Sequence, residues 1–307
     1  MLRSQFASIL AGTLLIAGSV HAQQHGDQHA LDAAAIGKAA GAEASADESG
    51  VVRIGWARDD VQVKVDGMPL EPFAGLGSWA AFHQAPGGAM VMGDTVVFQD
   101  EVAPAMDAAF AHDLEVTALH NHFFYDEPKV YFMHIGGSGD PAKLAAGVKA
   151  VWDAIKQVRK EQPQPTRGFG GPTPTADGAL EAGSIERILG IDSQTNNGVV
   201  KVSIGREGKM NGVEVGGSMG LSTWAAFSGS AELAAVDGDF IMTAAEVQPV
   251  LRTLRQHGIY IVALHNHMLG DEPAFYFTHY WGKGPVEQLA QGLRNALEAQ
   301  RQASGGQ

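Results

Sequence analysis

Alternation of apolar and polar residues predicts short strands along the first half of the chain. The alternating stretches are rich in valine, other β-branched residues and aromatic residues, which favour half-buried strands. They cover residues 51–56, 61–65, 79–83, 89–98, 114–124 and 129–135. Only a short segment containing Asp-Glu-Pro separates the last two, so these two are expected to pair as a hairpin.

Apolar residues spaced three and four apart predict a long helix near the end of each half. In the first half this helix begins at Asp140-Pro141, an N-cap followed by proline at the first helical position. Its apolar face consists of Leu144, Val148, Val151, Trp152 and Ile155. The matching face in the second half consists of Leu289, Leu293 and Leu297. A capping box from Thr243 to Glu246 opens a further helix, expected over residues 244–257.

The second half of the chain repeats the first. Placing residues 76–155 over residues 221–300, at a constant offset of 145, gives about 30 identical positions out of 80, far more than unrelated segments share. Strands mixed with helices, short connections and few signs of parallel crossovers predict an α+β fold for each copy. We therefore expect two tandem repeats, each a mainly antiparallel sheet with helices, related by a pseudo-twofold axis.

The boundaries of the repeats follow from matching blocks near their starts. ALDAAAIGKAAG in the first repeat matches ALEAGSIERILG in the second. This match places repeat 1 at residues 30–160 and repeat 2 at residues 179–302. Prolines and glycines are frequent over residues 161–178, which predicts a linker or a covering strap between the repeats.

The N-terminus has the features of a secretory signal peptide. Residues 1–22 combine the basic Arg3, an apolar run and a small-x-small cleavage pattern ending at Ala22, and residues 23–29 are expected to form a mobile tail. The protein is therefore expected in the periplasm or outside the cell. The chain has no cysteine, which excludes disulfides, thiolate ligands and a lipid-modified cysteine, so it is not expected to be a lipoprotein.

Charge and hydropathy narrow the class of partner. The formal net charge is −13 at pH 7 and no basic patch or stripe is evident, so nucleic acid is not expected as a partner. No segment after the signal peptide is apolar over the ~20 residues that a transmembrane helix needs. The remaining candidate partners are an envelope component or a small-molecule ligand.

Each repeat contains one histidine-rich segment, HNHFFYDEPKVYFMH from His120 and HNHMLGDEPAFYFTH from His265. On a strand, histidines two residues apart leave the same face, and the closing histidine joins that face if the turn has an odd number of residues. Imidazoles and a carboxylate are ligands that zinc and other divalent transition metals accept. The predicted ligands are His120, His122, Glu127 and His134 in repeat 1, and His265, His267, Glu272 and His279 in repeat 2.

These ligands predict a protein that binds a divalent transition metal, zinc or copper, with one site per repeat or one site where the repeats meet. A second hypothesis is a metal-dependent hydrolase, in which the metal lowers the pKa of a bound water and Glu127 or Glu272 acts as the general base. A third is a metal-free envelope-binding module whose histidines are structural. The Asp-Glu-Pro segment is equally well interpreted as a tight turn.

Two smaller features bear on the site. The Gly-Asp pairs that contain Asp94 and Asp239 are interpreted as turn residues. His83 has Ser228 as its counterpart in repeat 2. Repeat 1 therefore has an imidazole that repeat 2 lacks. If the repeats have specialised, this imidazole is a candidate fourth imidazole of the repeat 1 site.

The strings LGSWAAF, EVTALHNHFFYDEPKVYFMHI and IVALHNHMLGDEPAFYFTHYW carry a family resemblance. They resemble the LppY/LpqO family of bacterial envelope-associated proteins, a domain of unknown function, over most of the chain after the signal peptide. The resemblance implies a bacterial secreted protein and no established activity. Some members of that family are lipoproteins, whereas this chain lacks the cysteine that a lipid anchor requires.

Overall fold

The computed structural model describes residues 30–175 and 180–305; the predicted signal peptide and tail, residues 1–29, lie outside the described residues. Repeat 1 contains α1 (Ala33–Ala40), β1 (Ala44–Ala46), β2 (Val52–Ala57), β3 (Val63–Val65), β4 (Met68–Leu70), β5 (Gly77–Ala85), β6 (Gly88–Phe98), α2 (Val102–Ala111), β7 (Glu115–His120), β8 (Asp126–Glu127), β9 (Val130–Gly139) and α3 (Pro141–Glu161). Repeat 2 contains the same elements in the same order: α4 (Ala182–Leu189), β10 (Ser193–Asn196), β11 (Val199–Gly205), β12 (Gly208–Met210), β13 (Val213–Val215), β14 (Ser222–Gly229), β15 (Ala234–Thr243), α5 (Ala244–Gln256), β16 (Tyr260–His265), β17 (Asp271–Glu272), β18 (Phe275–Gly284) and α6 (Val286–Ala303). Among the described residues, no helix is both long and apolar enough to cross a membrane.

One antiparallel sheet of twelve strands runs through both repeats. Its strand order is β1-β2-β5-β6-β9-β7-β16-β18-β15-β14-β11-β10, so the second six strands follow the first six in mirrored order. The repeats meet where β7 lies against β16, with Leu119 opposite Leu264. These two leucines occupy the same position in their repeats, as residues beside a twofold axis do. The predicted α+β fold of two tandem repeats is confirmed.

The helices of both repeats pack on one face of this sheet. Along β5, Ala80 and Phe82 are fully buried against the helices, whereas Trp79 and Ala81 are only partly buried. This alternation follows from the period of two along a strand. We call the face that carries Trp79 and Ala81, opposite the helices, the outer face.

Two small three-stranded sheets cover part of the outer face, β4-β3-β8 in repeat 1 and β13-β12-β17 in repeat 2. In repeat 1 the apolar contact between the small sheet and the outer face consists of Val61, Val63, Leu76, Val96, Phe98, Val130 and Phe132. The predicted hairpin is confirmed, because β7 pairs with β9. The segment that connects the two strands is more than a turn, however. Its Asp-Glu dipeptide forms an edge strand of the small sheet in each repeat.

The predicted linker forms a strap across the two repeats. The backbone N–H of Thr166 donates to Asp100 Oδ2 of repeat 1 at 3.0 Å. The ring of Phe169 lies 4.5 Å, centroid to centroid, from that of Tyr260 in repeat 2, and Lys283 Nζ donates to the carbonyl oxygen of Gly170. Residues 176–179 of the linker lie outside the described residues.

An ion pair, fully buried in repeat 1 and partly exposed in repeat 2, fixes the base of each small sheet. Arg58 and Glu101, both fully buried, form two hydrogen bonds of 2.8 and 2.9 Å. Arg206 and Glu246 form the corresponding pair in repeat 2, at 2.5 and 2.7 Å. Each arginine lies just before a small sheet and each glutamate at the start of α2 or α5, so the pairs anchor the small sheets to the main body.

Glu246 makes the stability of the fold sensitive to acid. Burial opposes its ionisation, but hydrogen bonds from Arg206, Ser304, the backbone of Thr243 and Gln300 outweigh burial and lower the pKa of Glu246 from 4.5 to about 2. Because the pKa is lower in the folded state, unfolding takes up a proton in acid. This contribution to stability is complete above about pH 4.5 and is lost as the pH falls towards 2.

We therefore expect Glu246→Gln to be less stable than the wild type at pH 7, with a difference that shrinks as the pH falls from 4.5 towards 2. Urea denaturation at a series of pH values measures the two free energies of unfolding. Glu287→Gln, at an exposed position of α6, is the matched control. A stability difference that stays constant across this range would contradict the assignment.

Candidate metal centre

Each histidine segment begins at the end of one strand and closes on the next. His120 is the last residue of β7 and His265 the last residue of β16. Ala118, two residues before His120, lies opposite His134 on β9. Residues two apart on a strand share a face, so His120 and His134 both project from the outer face. His265 and His279 have the same register in repeat 2.

The middle histidines, His122 and His267, lie beyond the strands, so the prediction that a strand continues to residue 124 is wrong. Asn121 turns the chain away from the sheet, because its Nδ2 donates to the carbonyl oxygen of Phe123 at 2.9 Å. The ring of His122 then stacks on Phe132, with centroids 3.3 Å apart and planes 7° from parallel. His267 has the same turn and the same stacking partner in repeat 2.

The three histidines of repeat 2 form a group that could hold a metal ion. A ring nitrogen from each of His265, His267 and His279 lies within 4.8 Å of the others. The ring centroid of His265 is 5.0 Å from that of each of the other two. In repeat 1 the ring centroid of His120 is 5.1 Å from those of His122 and His134, but among the described residues only the repeat 2 histidines bring their ring nitrogens within 4.8 Å of one another.

A buried aspartate adjoins each cluster, and sequence reasoning missed both. Asp94 lies in β6, opposite His134, and Asp239 lies in β15, opposite His279, so their interpretation as turn residues is wrong. His134 Nε2 is 3.9 Å from Asp94 Oδ1. His267 Nε2 is 3.5 Å from Asp239 Oδ2. Each cluster therefore combines three imidazoles with one carboxylate.

Several polar atoms of the clusters are buried without a partner. Nδ1 of His265 and Oδ1 of both Asp94 and Asp239 have no hydrogen-bond partner among the described residues. An unpaired buried polar group costs about 1–3 kcal/mol, and most such groups in proteins are paired. A metal ion bound between the imidazoles would give the His265 nitrogen a partner.

Burial shifts the pKa of five side chains in the clusters. It raises the pKa of Asp94 and Asp239, against the opposing effect of the neighbouring histidines. It lowers the pKa of His122, His265 and His267. The neutral imidazole is the form that binds a metal, so these three side chains are in their ligand form at neutral pH.

Glu127 and Glu272, predicted as ligands or general bases, lie in the small sheets. Glu127 is exposed in β8 and pairs through its backbone with Lys64 of β3. Glu272 has the same place in β17 and is not part of the repeat 2 group. The neighbouring Asp126 closes the loop, since its Oδ2 accepts from the backbone N–H of Val130 at 2.7 Å. The Asp-Glu-Pro segment thus has a structural role, as a strand of the small sheet and as the turn that leads into β9.

The cluster of repeat 1 opens into a groove on the outer face. The groove is lined by residues that include Arg53, Phe73, Trp79, Asp94, His122 and Phe132. In repeat 2, Phe73 is replaced by Ser218 and Arg53 by Lys201. The two clusters therefore share their histidines and aspartate but face different surroundings.

Residues 34–154 and 183–299 each match the family model described as Domain of Unknown Function (DUF1259). The chain belongs to this family. The two matches fall within the two predicted repeats and confirm the internal duplication of this DUF1259 protein. None of the curated proteins matches it.

The solved structures include one that resembles this DUF1259 protein weakly. It is the crystal structure of a trimeric bacterial microcompartment shell protein PduB, with 9% sequence identity and a TM-score of 0.19 over 86% of this chain and 93% of that chain. A likeness at this level carries no argument about fold or function.

Proposed function

We propose that each repeat binds one divalent transition-metal ion, zinc or copper, at its histidine cluster. The observation that carries the proposal is the group of His265, His267 and His279, whose ring nitrogens lie within 4.8 Å of one another. Within that group, Nδ1 of His265 is buried and has no partner among the described residues. Imidazole ligands favour zinc and copper, whereas calcium and magnesium take oxygen ligands.

The grouping of the imidazoles favours one site per repeat over a single shared site. The three histidines whose ring nitrogens lie within 4.8 Å of one another, His265, His267 and His279, all belong to repeat 2. At the centre of the sheet Leu119 lies opposite Leu264, which places Ala118 opposite His265 in β16. Ala118 also lies opposite His134 in β9, so the backbones of His134 and His265 are two strand spacings apart, about 10 Å.

Asp94 and Asp239 are assigned the role of orienting the imidazoles. Histidines that bind a metal commonly donate their second ring N–H to a carboxylate, which fixes the tautomer and makes the ligand more basic. His267 and Asp239 are placed for this role, with Nε2 and Oδ2 3.5 Å apart. The hydrolase hypothesis is weaker, because the glutamates proposed as general bases lie in the small sheets.

We further propose that the protein acts in the periplasm or outside the cell and that it is a member of the LppY/LpqO group. The support for location is the signal-peptide pattern of residues 1–22, and the support for the group is the paired ALHNH and Asp-Glu-Pro strings. A chain without cysteine that offers histidine ligands suits an oxidising compartment, where thiolate ligands are readily lost to disulfides.

Titration with cobalt(II) tests the metal proposal. We expect visible absorption bands that saturate at two equivalents of Co(II) and disappear when zinc is added. Asp239→Asn should weaken binding at the repeat 2 site by about 10–100-fold, the usual effect of removing an outer partner of a metal ligand. Asp107→Asn, at an exposed position of α2, is the control. A wild-type protein that develops no such bands would contradict the proposal.

A further inference from the structure

A second group of ligand side chains lies on the outer face of repeat 1, outside the histidine cluster. Met90 and Met92 project outward from β6 and are 41% and 58% exposed, whereas Ala89 and Val91 are buried. His83 of β5 lies directly opposite Met90 and is also exposed. Two thioethers and one imidazole therefore share one face of two adjacent strands.

His83 is held with one ring nitrogen free. Its Nδ1 lies 2.8 Å from the carbonyl oxygen of Gln84. A carbonyl oxygen only accepts, so the neutral imidazole carries its proton on Nδ1 and has its lone pair on Nε2. Histidines that bind metals are commonly oriented by such a bond from the other nitrogen.

The strand geometry lets the three side chains reach one ion. Cβ atoms directly opposite each other, as in His83 and Met90, are about 4.5–5.5 Å apart, and diagonal neighbours such as His83 and Met92 about 7–8 Å. Methionine has three rotatable bonds with which to close these gaps. On the other side of Met92 lies Gly136, which has no side chain to obstruct the site.

The shared fold does not require these side chains. The corresponding residues in repeat 2 are Ser228, Ala235 and Asp237, which offer neither a thioether nor an imidazole. Thioether sulfur is a soft ligand that selects Cu(I) over divalent zinc. We propose that His83, Met90 and Met92 form a Cu(I) site in repeat 1, independent of whether the histidine clusters bind metal.

Anaerobic competition for Cu(I) with the chromophoric chelator bathocuproine disulfonate tests this site. We expect the wild type to retain one equivalent of Cu(I) against the chelator. Met90→Leu/Met92→Leu should lower the Cu(I) affinity by more than about tenfold. Loss of a residue that only hydrogen-bonds to a metal ligand already costs about 10–100-fold, and these substitutions remove two ligands. Leucine is close to methionine in volume and the side chains are exposed, so the fold should be unaffected. His83→Ser, which installs the repeat 2 residue, should weaken binding in the same way.

Two controls separate this site from other sources of copper binding. Met68→Leu/Met219→Leu removes methionines that are 62% and 69% exposed elsewhere on the chain, and it should leave the Cu(I) affinity unchanged. In the second control two equivalents of zinc are added first to fill the histidine clusters, and the Cu(I) affinity should again be unchanged. The proposal is overturned if Met90→Leu/Met92→Leu binds Cu(I) as the wild type does, or if the added zinc abolishes Cu(I) binding.

Discussion

His265→Ala/His267→Ala is expected to lower the zinc affinity of the repeat 2 site by more than about 100-fold. The wild-type group has three imidazoles, and the two substitutions leave only that of His279. Removing one residue that only orients a ligand by a hydrogen bond lowers metal affinity by about 10–100-fold. Removing two of the ligands themselves should lower it further. His120→Ala/His122→Ala should do the same to the repeat 1 site and leave the repeat 2 site intact.

Competition with a chromophoric zinc chelator measures both affinities in each variant. The matched control is His112→Ala/His257→Ala, which removes one histidine per repeat from the C-terminal ends of α2 and α5. This control should bind zinc as the wild type does. If all three variants lost zinc equally, or if none did, the histidine clusters would not be the sites.

Glu101→Ala is expected to lower the free energy of unfolding by about 3–5 kcal/mol, the usual effect of breaking a buried ion pair. The Arg58 side chain is fully buried and would lose both hydrogen bonds to the glutamate. The backbone N–H of Phe98 would lose its acceptor, at 2.8 Å from Glu101 Oε2. Arg159 Nε, 2.7 Å from Glu101 Oε1, would lose one of its two opposite charges and keep Asp100.

Urea denaturation followed by circular dichroism measures the change. Glu298→Ala is the control, because Glu298 pairs with Arg301 on the solvent-exposed side of α6 and exposed pairs contribute little. A Glu101→Ala variant whose unfolding midpoint matches that of the control would show that the pair does not anchor the small sheet.

The fold was largely predictable because the strands alternate regularly. Along β2, buried Val52 and Ile54 alternate with exposed Arg53 and Gly55, and the predicted helix beginning at Asp140-Pro141 starts at that point in the structure. The joining of the repeats into one sheet was not predictable. It rests on Leu119 facing Leu264, and neither leucine differs in pattern from any other buried strand residue.

The histidines of the site were predictable from their spacing, whereas the aspartates were not. Asp94 follows Gly93, and Gly-Asp is a common turn signal. The glycine is instead required by close packing, since a Cβ at Gly93 would lie 2.9 Å from the carbonyl oxygen of Trp79 and 3.0 Å from the side chain of Ile135. The alternation Met90, Met92, Asp94 was the available signal, because it places the aspartate on the outer face.

The prediction of Glu127 as a ligand rests on a hairpin turn from which its carboxylate reaches the histidines. The turn is instead long enough for Asp126 and Glu127 to pair with β3 in the small sheet. Local pattern does not reveal this pairing, because β3 precedes the turn by some sixty residues and only the fold brings the two together.

The metal content of the protein as purified shows whether each repeat holds an ion at its histidine cluster. Untagged protein, prepared from its native compartment without chelators, would be analysed by inductively coupled plasma mass spectrometry beside the two histidine double variants. We expect stoichiometric zinc or copper in the wild type, with one equivalent lost in His120→Ala/His122→Ala and one in His265→Ala/His267→Ala. Metal-free wild-type protein that also takes up neither ion when either is added would contradict this expectation.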